Sequence, residues 1–154
     1  MNQKTTTVGW REWFSLPELG LPAIKAKIDT GARTSCLHAF SIESFIKEDQ
    51  EWVRFGIHPH QHNTENEVYC EAKVFDKRTV SDSGGHKEER YVISTDVVLA
   101  NQRWPIEVTL TNRDSMLFRM LLGRTAMKQK IIVDPSESFL LGKPTKKPTS
   151  SNVE

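Results

Sequence analysis

Short apolar runs separated by turn-forming residues recur along this chain, and they constrain its fold more than any other feature. In the run WVRFGI (52–57), Val53, Phe55 and Ile57 recur with the period of two that places them on one face of a strand. Runs of this kind occupy nine stretches: 8–16, 23–28, 52–57, 67–75, 90–99, 103–110, 118–122, 130–134 and 138–142. So many strand candidates predict a mostly-β fold, either a barrel or a sandwich.

Helical pattern is confined to two short stretches, residues 41–49 and residues 124–130. The 154 residues match the usual size of one domain, and we expect that domain to span residues 1–142. The tail at 143–154 is polar and contains proline, which predicts disorder. Residues 76–90 are equally polar, but strand-like runs flank them, so they are predicted to form the tip of a long hairpin.

Net charge, hydropathy and cysteine content limit the partners and the cellular compartment expected for this chain. It carries 21 Lys and Arg against 20 Asp and Glu, so we expect no nucleic-acid partner, although a local charged patch is compatible with this balance. No apolar run is long enough to span a membrane, and residues 1–13 lack the apolar core of a secretory signal. The only cysteines, Cys36 and Cys70, predict a reduced, cytoplasmic protein rather than a disulfide framework.

One aspartate, Asp29, stands where a predicted strand meets a glycine turn, in the segment AKIDTGARTS (26–35). Gly31 lets the backbone turn tightly and its amide can donate to the carboxylate, while the Thr30 hydroxyl can brace the loop. A carboxylate held in one orientation is what a general base requires. The same three residues also suit a plain Asx-type turn, so the triplet by itself leaves both interpretations open.

A second segment, MLLGRTAM (120–127), joins an apolar strand to a glycine and a short helical pattern. Together with IDTGA (28–32), it resembles the retropepsin-type aspartic proteases, in which an Asp-Thr-Gly-Ala loop lies beside a strand that ends in an apolar-apolar-Gly motif. More specifically, the chain resembles a small bacterial retropepsin-like family labelled "ATP-dependent zinc protease", which is associated with ATP-grasp ligases that add glutamate to a ribosomal protein. The segments KAKIDTGARTS, RWPIEVTLTNRDSM and MLLGRTA carry this resemblance, which runs from about Val8 to Gly142.

The resemblance implies a retropepsin-like closed β-barrel with one or two short helices, in which Asp29, Thr30 and Gly31 form the catalytic loop. Asp29 would activate a water for attack on a peptide carbonyl, as an aspartic-type peptidase does. Two aspartates must share one proton across that water, so a second carboxylate is needed. The triplet at 82–84 (Asp-Ser-Gly) lacks a leading apolar strand, so the favoured partner is Asp29 of a second copy. The expected assembly is therefore a twofold homodimer.

The implied substrate is a peptide or a glutamate-tailed protein. By order along the chain, residues 76–89 are the candidate flap. Arg33 could capture a substrate carboxylate with its planar guanidinium, or it could pair with an acid such as Glu43. Arg124 could add a second positive charge or form a structural ion pair. The predicted substrate-binding residues are Ala32, Arg33, Gly84, Gly85 and Arg124.

The sequence supports two other catalytic chemistries less well than the aspartic one. His58, His60 and His62 alternate like the ligands of a catalytic zinc, which would make a zinc-dependent peptidase. Same-face neighbours on a strand lie ~7 Å apart, so we expect no metal and no other cofactor. A nucleophilic Cys36 beside His38 is possible chemically, but a buried structural cysteine is favoured.

The main alternative function is a catalytically silent module that keeps the fold and binds acidic peptides or regulates a partner ligase. The intact triplet at 29–31 favours the peptidase.

Overall fold

The computed structural model describes residues 5–60, 64–81, 84–112 and 117–143 of the chain. Within these ranges strands predominate, as the recurrent apolar runs predicted. The strands are β1 (Thr6–Val8), β2 (Arg11–Leu16), β3 (Leu21–Asp29), β4 (Ser35–His38), β5 (Ser41–Lys47), β6 (Gln50–Ile57), β7 (Val68–Lys73), β8 (Asp76–Ser81), β9 (Lys87–Leu99), β10 (Gln102–Thr111), β11 (Met120–Gly123) and β12 (Ile131–Val133). A 3-10 turn covers Pro17–Leu19, and one helical turn, α1, covers Arg124–Met127.

Six of these strands form a closed ring in the order β10, β4, β11, β3, β2 and β9. The ring closes because β9 also pairs with β10, antiparallel over eight residue pairs from Gln102↔Leu99 to Thr109↔Val92. The β9–β10 pairing satisfies backbone groups that the edge of an open sheet would leave unpaired, whereas β2 and β9 meet at one pair, Ser15↔Val98. This arrangement confirms the predicted closed β-barrel.

Apolar side chains fill the inside of the ring because its strands alternate. On β2, Phe14 and Leu16 are fully buried, whereas Arg11, Trp13 and Ser15 are only half-buried. Fully burying a side chain of this size contributes about 1.5–3 kcal/mol. Phe14, Leu16, Leu21, Ile24, Leu37, Ile93, Leu110, Met120 and Leu122 are among the large core side chains with almost no exposure.

A second, smaller sheet is made of β5, β6 and β7, which are antiparallel neighbours. Its first strand corrects the prediction of a helix at 41–49, because residues 41–47 pair along their whole length with β6. Glu48 and Asp49, with φ of 54° and 64°, make the tight turn between the two strands. Two successive positive φ values are typical of a two-residue hairpin turn, which the helical spacing of the apolar residues did not indicate.

The ends of the described chain are joined to each other. Strand β1 pairs in parallel with β12, from Thr6↔Ile131 to Val8↔Val133. The predicted run 8–16 is broken between β1 and β2, because Gly9 there lies against the backbone of Glu137. The predicted strand at 138–142 is wrong, because these residues form turns, and the tail at 144–154 lies outside the described residues. In the part of the chain that is described, no helix is long and apolar enough to cross a bilayer.

Candidate active site

Strand β11 lies between β3 and β4, parallel to the first and antiparallel to the second. In this register Gly123 is opposite Asp29, and Leu121 is opposite Cys36. The two motifs that lie far apart in the sequence, 28–32 and 121–124, are therefore side by side at the end of the barrel. The loop that carries Asp29 follows directly from the end of β3.

Gly123 allows this close approach because it has no side chain. A Cβ built there would lie 2.6 Å from the carbonyl carbon of Thr34 and 2.8 Å from its oxygen. Real Cβ atoms do not come so close, so a larger residue would push β11 away from the loop. The Gly123 amide donates a hydrogen bond of 3.0 Å to the Ser35 hydroxyl, which is fully buried.

The Asp29 carboxylate is half-buried, and its loop holds it in place. The amide of Gly31 donates to Oδ1 at 3.0 Å, and the amide of Ala32 donates to the main-chain oxygen of Asp29 at 3.2 Å. Thr30 and Gly31 are themselves exposed. The carboxylate is thus oriented by a backbone donor while its other oxygen keeps its acceptor capacity.

The start of α1 braces this loop from the other side. The Arg124 amide donates to the oxygen of Ala32 at 2.8 Å, and the Thr125 hydroxyl donates to the oxygen of Arg33 at 2.8 Å. Nη1 of Arg124 reaches the main-chain oxygens of Gly31 at 3.3 Å and Thr30 at 3.5 Å. The guanidinium therefore lies against backbone carbonyls, and no ion pair of Arg124 occurs among the described residues.

Sequence reasoning missed the two hydroxyls of this site, Ser35 and Thr125. Both lie within segments that it had singled out, AKIDTGARTS (26–35) and MLLGRTAM (120–127), but neither was given a role. A small hydroxyl beside a turn is a common brace for backbone groups, and that was the available signal.

Arg33 is exposed at the edge of the loop. Within the described residues it forms no ion pair with Glu43, which lines a separate shallow cleft on β5 to β7 with Arg54 and Glu71. The structural ion pair that was the alternative for Arg33 is thus not found there. Its capture of a substrate carboxylate stays a prediction.

The segment predicted as a hairpin is one: β8 pairs with the first part of β9, from Asp76↔Val92 to Ser81↔Lys87. Gly85, with a φ of 87°, lies in the turn between them, next to Gly84. Asp82 and Ser83 lie outside the described residues. That this hairpin acts as a flap, with these glycines at the substrate, stays a prediction.

The alternative chemistries find little support in the geometry. Cys36 is buried, Arg90 Nη1 donates to its Sγ at 3.4 Å, and burial raises the pKa of the thiol, which disfavours a thiolate nucleophile. His58 is buried and stacked on Phe40, whereas His60 is exposed, and His62 lies outside the described residues. Among the residues described, no three His, Cys, Asp or Glu side chains are grouped as metal ligands.

A closed barrel with an Asp-Thr-Gly loop beside an apolar-apolar-Gly strand defines the retropepsin-like class of proteins. Within it, the chain belongs to the RimB-like family: the family described as "Retropepsin-like aspartic endopeptidase RimB" matches residues 7–144.

Two relatives that match most of this chain are themselves much longer proteins. A protein of Shewanella pealeana named "Probable alpha-L-glutamate ligase" is 50% identical over 142 residues, which cover 92% of this chain and 31% of the relative. A protein of the same name from Desulfotalea psychrophila is 48% identical over 139 residues, 90% of this chain and 30% of the relative. The chain thus spans less than a third of the length of these relatives.

A solved structure shares the fold. The crystal structure of a protein with unknown function from Legionella pneumophila superposes with a TM-score of 0.73 at 28% sequence identity. The match covers 89% of this chain and 98% of that protein.

Proposed function

We propose that this chain is an aspartic-type peptidase that cleaves peptides or glutamate-rich protein tails through a dyad made by Asp29 of two copies. The observation that carries the proposal is the Asp29 carboxylate, held by the Gly31 amide at 3.0 Å at the end of β3 and opposite Gly123 of β11. Membership of a family described as aspartic endopeptidases supports the same chemistry.

The proposed reaction needs two carboxylates that share one proton. The ionised aspartate accepts a proton from water as the water attacks the peptide carbonyl, and the protonated aspartate donates a hydrogen bond to the carbonyl oxygen. The described aspartates other than Asp29 are not followed by Thr-Gly, and Asp76, Asp96 and Asp134 are engaged in local hydrogen bonds. A second copy of the chain is the simplest source of the missing carboxylate.

The proposed preference for acidic substrates rests on the positive charge of Arg33 near Asp29. Arg33 is an exposed guanidinium four residues beyond Asp29, and its planar fork suits a carboxylate. The relatives named as glutamate ligases favour glutamate as the substrate side chain.

The test is incubation of the pure protein with glutamate-tailed and neutral peptides, followed by mass spectrometry. We expect cleavage by the wild type and a loss of at least about a thousandfold in Asp29→Asn, which removes the shared-proton site with little change of shape. Asp49→Asn is the matched control, because that aspartate is exposed in the turn between β5 and β6 of the smaller sheet, where asparagine also tolerates its φ of 64°, and it should keep full activity.

Each alternative has its own outcome in this experiment. Binding of the acidic peptide without cleavage would identify the silent module instead. Activity that survives Asp29→Asn, or that a chelator abolishes, would rule out the aspartic mechanism.

A further inference from the structure

The outer face of β2 and β3 carries a row of positive charges. Arg11 is the cross-strand partner of Lys27, and Trp13 is the partner of Lys25, so all four side chains share one face of the sheet. Lys143 adds a fifth group, because its Nζ lies 4.8 Å from the centre of the Trp13 ring. Arg11, Lys25, Lys27 and Lys143 are called the basic strip below.

The charges of the basic strip are not neutralised by the fold. Like charges directly opposite each other on neighbouring strands are destabilising, and Arg11 and Lys27 stand in that relation. Among the described residues no member of the strip forms an ion pair, and Arg11 Nε donates to the Ser138 hydroxyl at 3.2 Å, a neutral partner. What distinguishes the strip is that its cations share one face of two paired strands, so an external anion can contact several of them at once.

Aromatic rings hold these cations in position. The Arg11 guanidinium carbon lies 4.6 Å from the Trp10 ring centre and 4.9 Å from that of Phe139, and Lys25 Nζ lies 5.5 Å from the Trp13 ring centre. Cation–π contacts fix a charge without neutralising it. Because the cations cover these rings, the strip is not an open stacking platform for nucleic-acid bases.

The strip also leads to the catalytic loop. Lys25, Lys27 and Asp29 alternate with the buried Ile24, Ala26 and Ile28, so the two lysines and the aspartate belong to the same face of β3. At 3.3 Å per residue, Lys25 lies about 13 Å along the strand from Asp29.

We propose that the basic strip binds the acidic tail of a polypeptide substrate and guides it to Asp29, a role that rests on the peptidase function proposed above. An extended run of glutamates presents carboxylates on one side every second residue, about 7 Å apart, which is the spacing of Lys25 and Lys27. The occupant that fits is therefore an extended segment of consecutive glutamates rather than a single acidic residue.

The experiment measures binding of a fluorescent decaglutamate peptide by anisotropy, in the Asp29→Asn background so that no cleavage interferes. We expect Lys25→Gln/Lys27→Gln to weaken peptide binding about tenfold, because two exposed ion pairs with the peptide are lost. Added salt should also weaken peptide binding by the parent protein, which carries Asp29→Asn alone, because it screens the same charges. The matched control is Lys47→Gln/Lys73→Gln. These lysines also flank a tryptophan, Trp52, on neighbouring strands, but in the smaller sheet. The control should change binding less than about twofold.

Three results would overturn the proposal: no binding of decaglutamate to the parent protein, equal weakening in both double variants, or no effect of Lys25→Gln/Lys27→Gln. Tight binding of a ten-nucleotide thymidine strand, lost in the same variant, would overturn it in favour of a nucleic-acid surface. Because binding is measured without turnover, an inactive wild type that still binds decaglutamate through the strip would refute the peptidase and not the strip.

Discussion

Two carboxylates in this fold, Glu12 and Asp29, differ in how completely the backbone satisfies them. Glu12 is fully buried on β2, and its oxygens accept hydrogen bonds from the amides of Gly9 at 2.8 Å, Leu140 at 2.7 Å and Leu141 at 3.3 Å. A buried charge with several donors is a structural group, and here it holds the C-terminal segment against the start of β2. Asp29 keeps acceptor capacity at a half-exposed site, which is why it is the candidate for chemistry.

A second residue, the buried Cys70, makes the free energy of unfolding depend on pH in the alkaline range. Burial raises the pKa of its thiol to about 11, from 9.0 for a free thiol. Between these values the unfolded chain loses a proton that the folded chain keeps, so the free energy of unfolding falls as pH rises from about 9 to about 11.

Urea unfolding of the wild type and Cys70→Ala at several pH values checks this expectation. The decline should be steeper in the wild type, because the variant lacks the thiol. Parallel declines would show that the folded and unfolded thiols ionise alike.

At the scale of elements, the site depends on β11 fitting between β3 and β4. Gly123 is in contact with the backbone at Thr34 and Ser35, so the barrel strand and the Asp29 loop are packed without an intervening side chain. The brace from α1 continues from the same glycine, since Arg124 and Thr125 donate to the loop carbonyls. Strand, loop and helical turn therefore behave as one packed unit.

Gly123→Ala should destabilise this unit by about 2–3 kcal/mol, because the added methyl group meets backbone that cannot move independently. Denaturant unfolding measures the loss. The control is Gly20→Ala, where the new Cβ meets nothing within 4 Å and only the left-handed φ of 72° carries a cost, about 1–2 kcal/mol. An effect of Gly123→Ala no larger than that of the control would contradict the tight packing of β11 on the loop.

For the whole molecule, the main question is how two copies of the chain assemble to bring two Asp29 side chains together. The described chain supplies one Asp-Thr-Gly loop, and the β1–β12 sheet that joins its ends carries an exposed apolar residue, Ile132, at 54% exposure. Among the described strands neither β1 nor β12 has a second partner, and a two-stranded sheet with unpaired edges can pair with a second copy of itself. We propose this sheet as part of the dimer interface.

Sedimentation at working concentration should show dimers, or a monomer that dimerises with substrate. Ile132→Asp should weaken dimerisation about tenfold or more and lower activity in parallel, since it places a charge in an apolar contact. Ile46→Asp, at an isoleucine of 71% exposure on β5, is the control and should leave assembly unchanged. A strictly monomeric protein with full activity would refute the shared dyad and direct attention to Asp82.

Local pattern was enough to determine several features of this protein. The period of two predicted most strands, the glycine at 31 predicted the turn after Asp29, and residues 124–127 form a helical turn within the predicted stretch. These features depend on neighbours a few residues apart, which is the range over which a sequence pattern carries information.

Only the tertiary structure decided the rest, because it depends on partners far away in the chain. Residues 41–47 have a spacing that fits a helix, but pairing with β6 makes them a strand. Barrel closure places β11 between β3 and β4, and this brings the Arg124 guanidinium onto the loop carbonyls rather than onto an acid. The alternating lysines of β3 become a strip of charge only when β2 sets Arg11 beside Lys27, since strand register is fixed by backbone pairing and not by either strand alone.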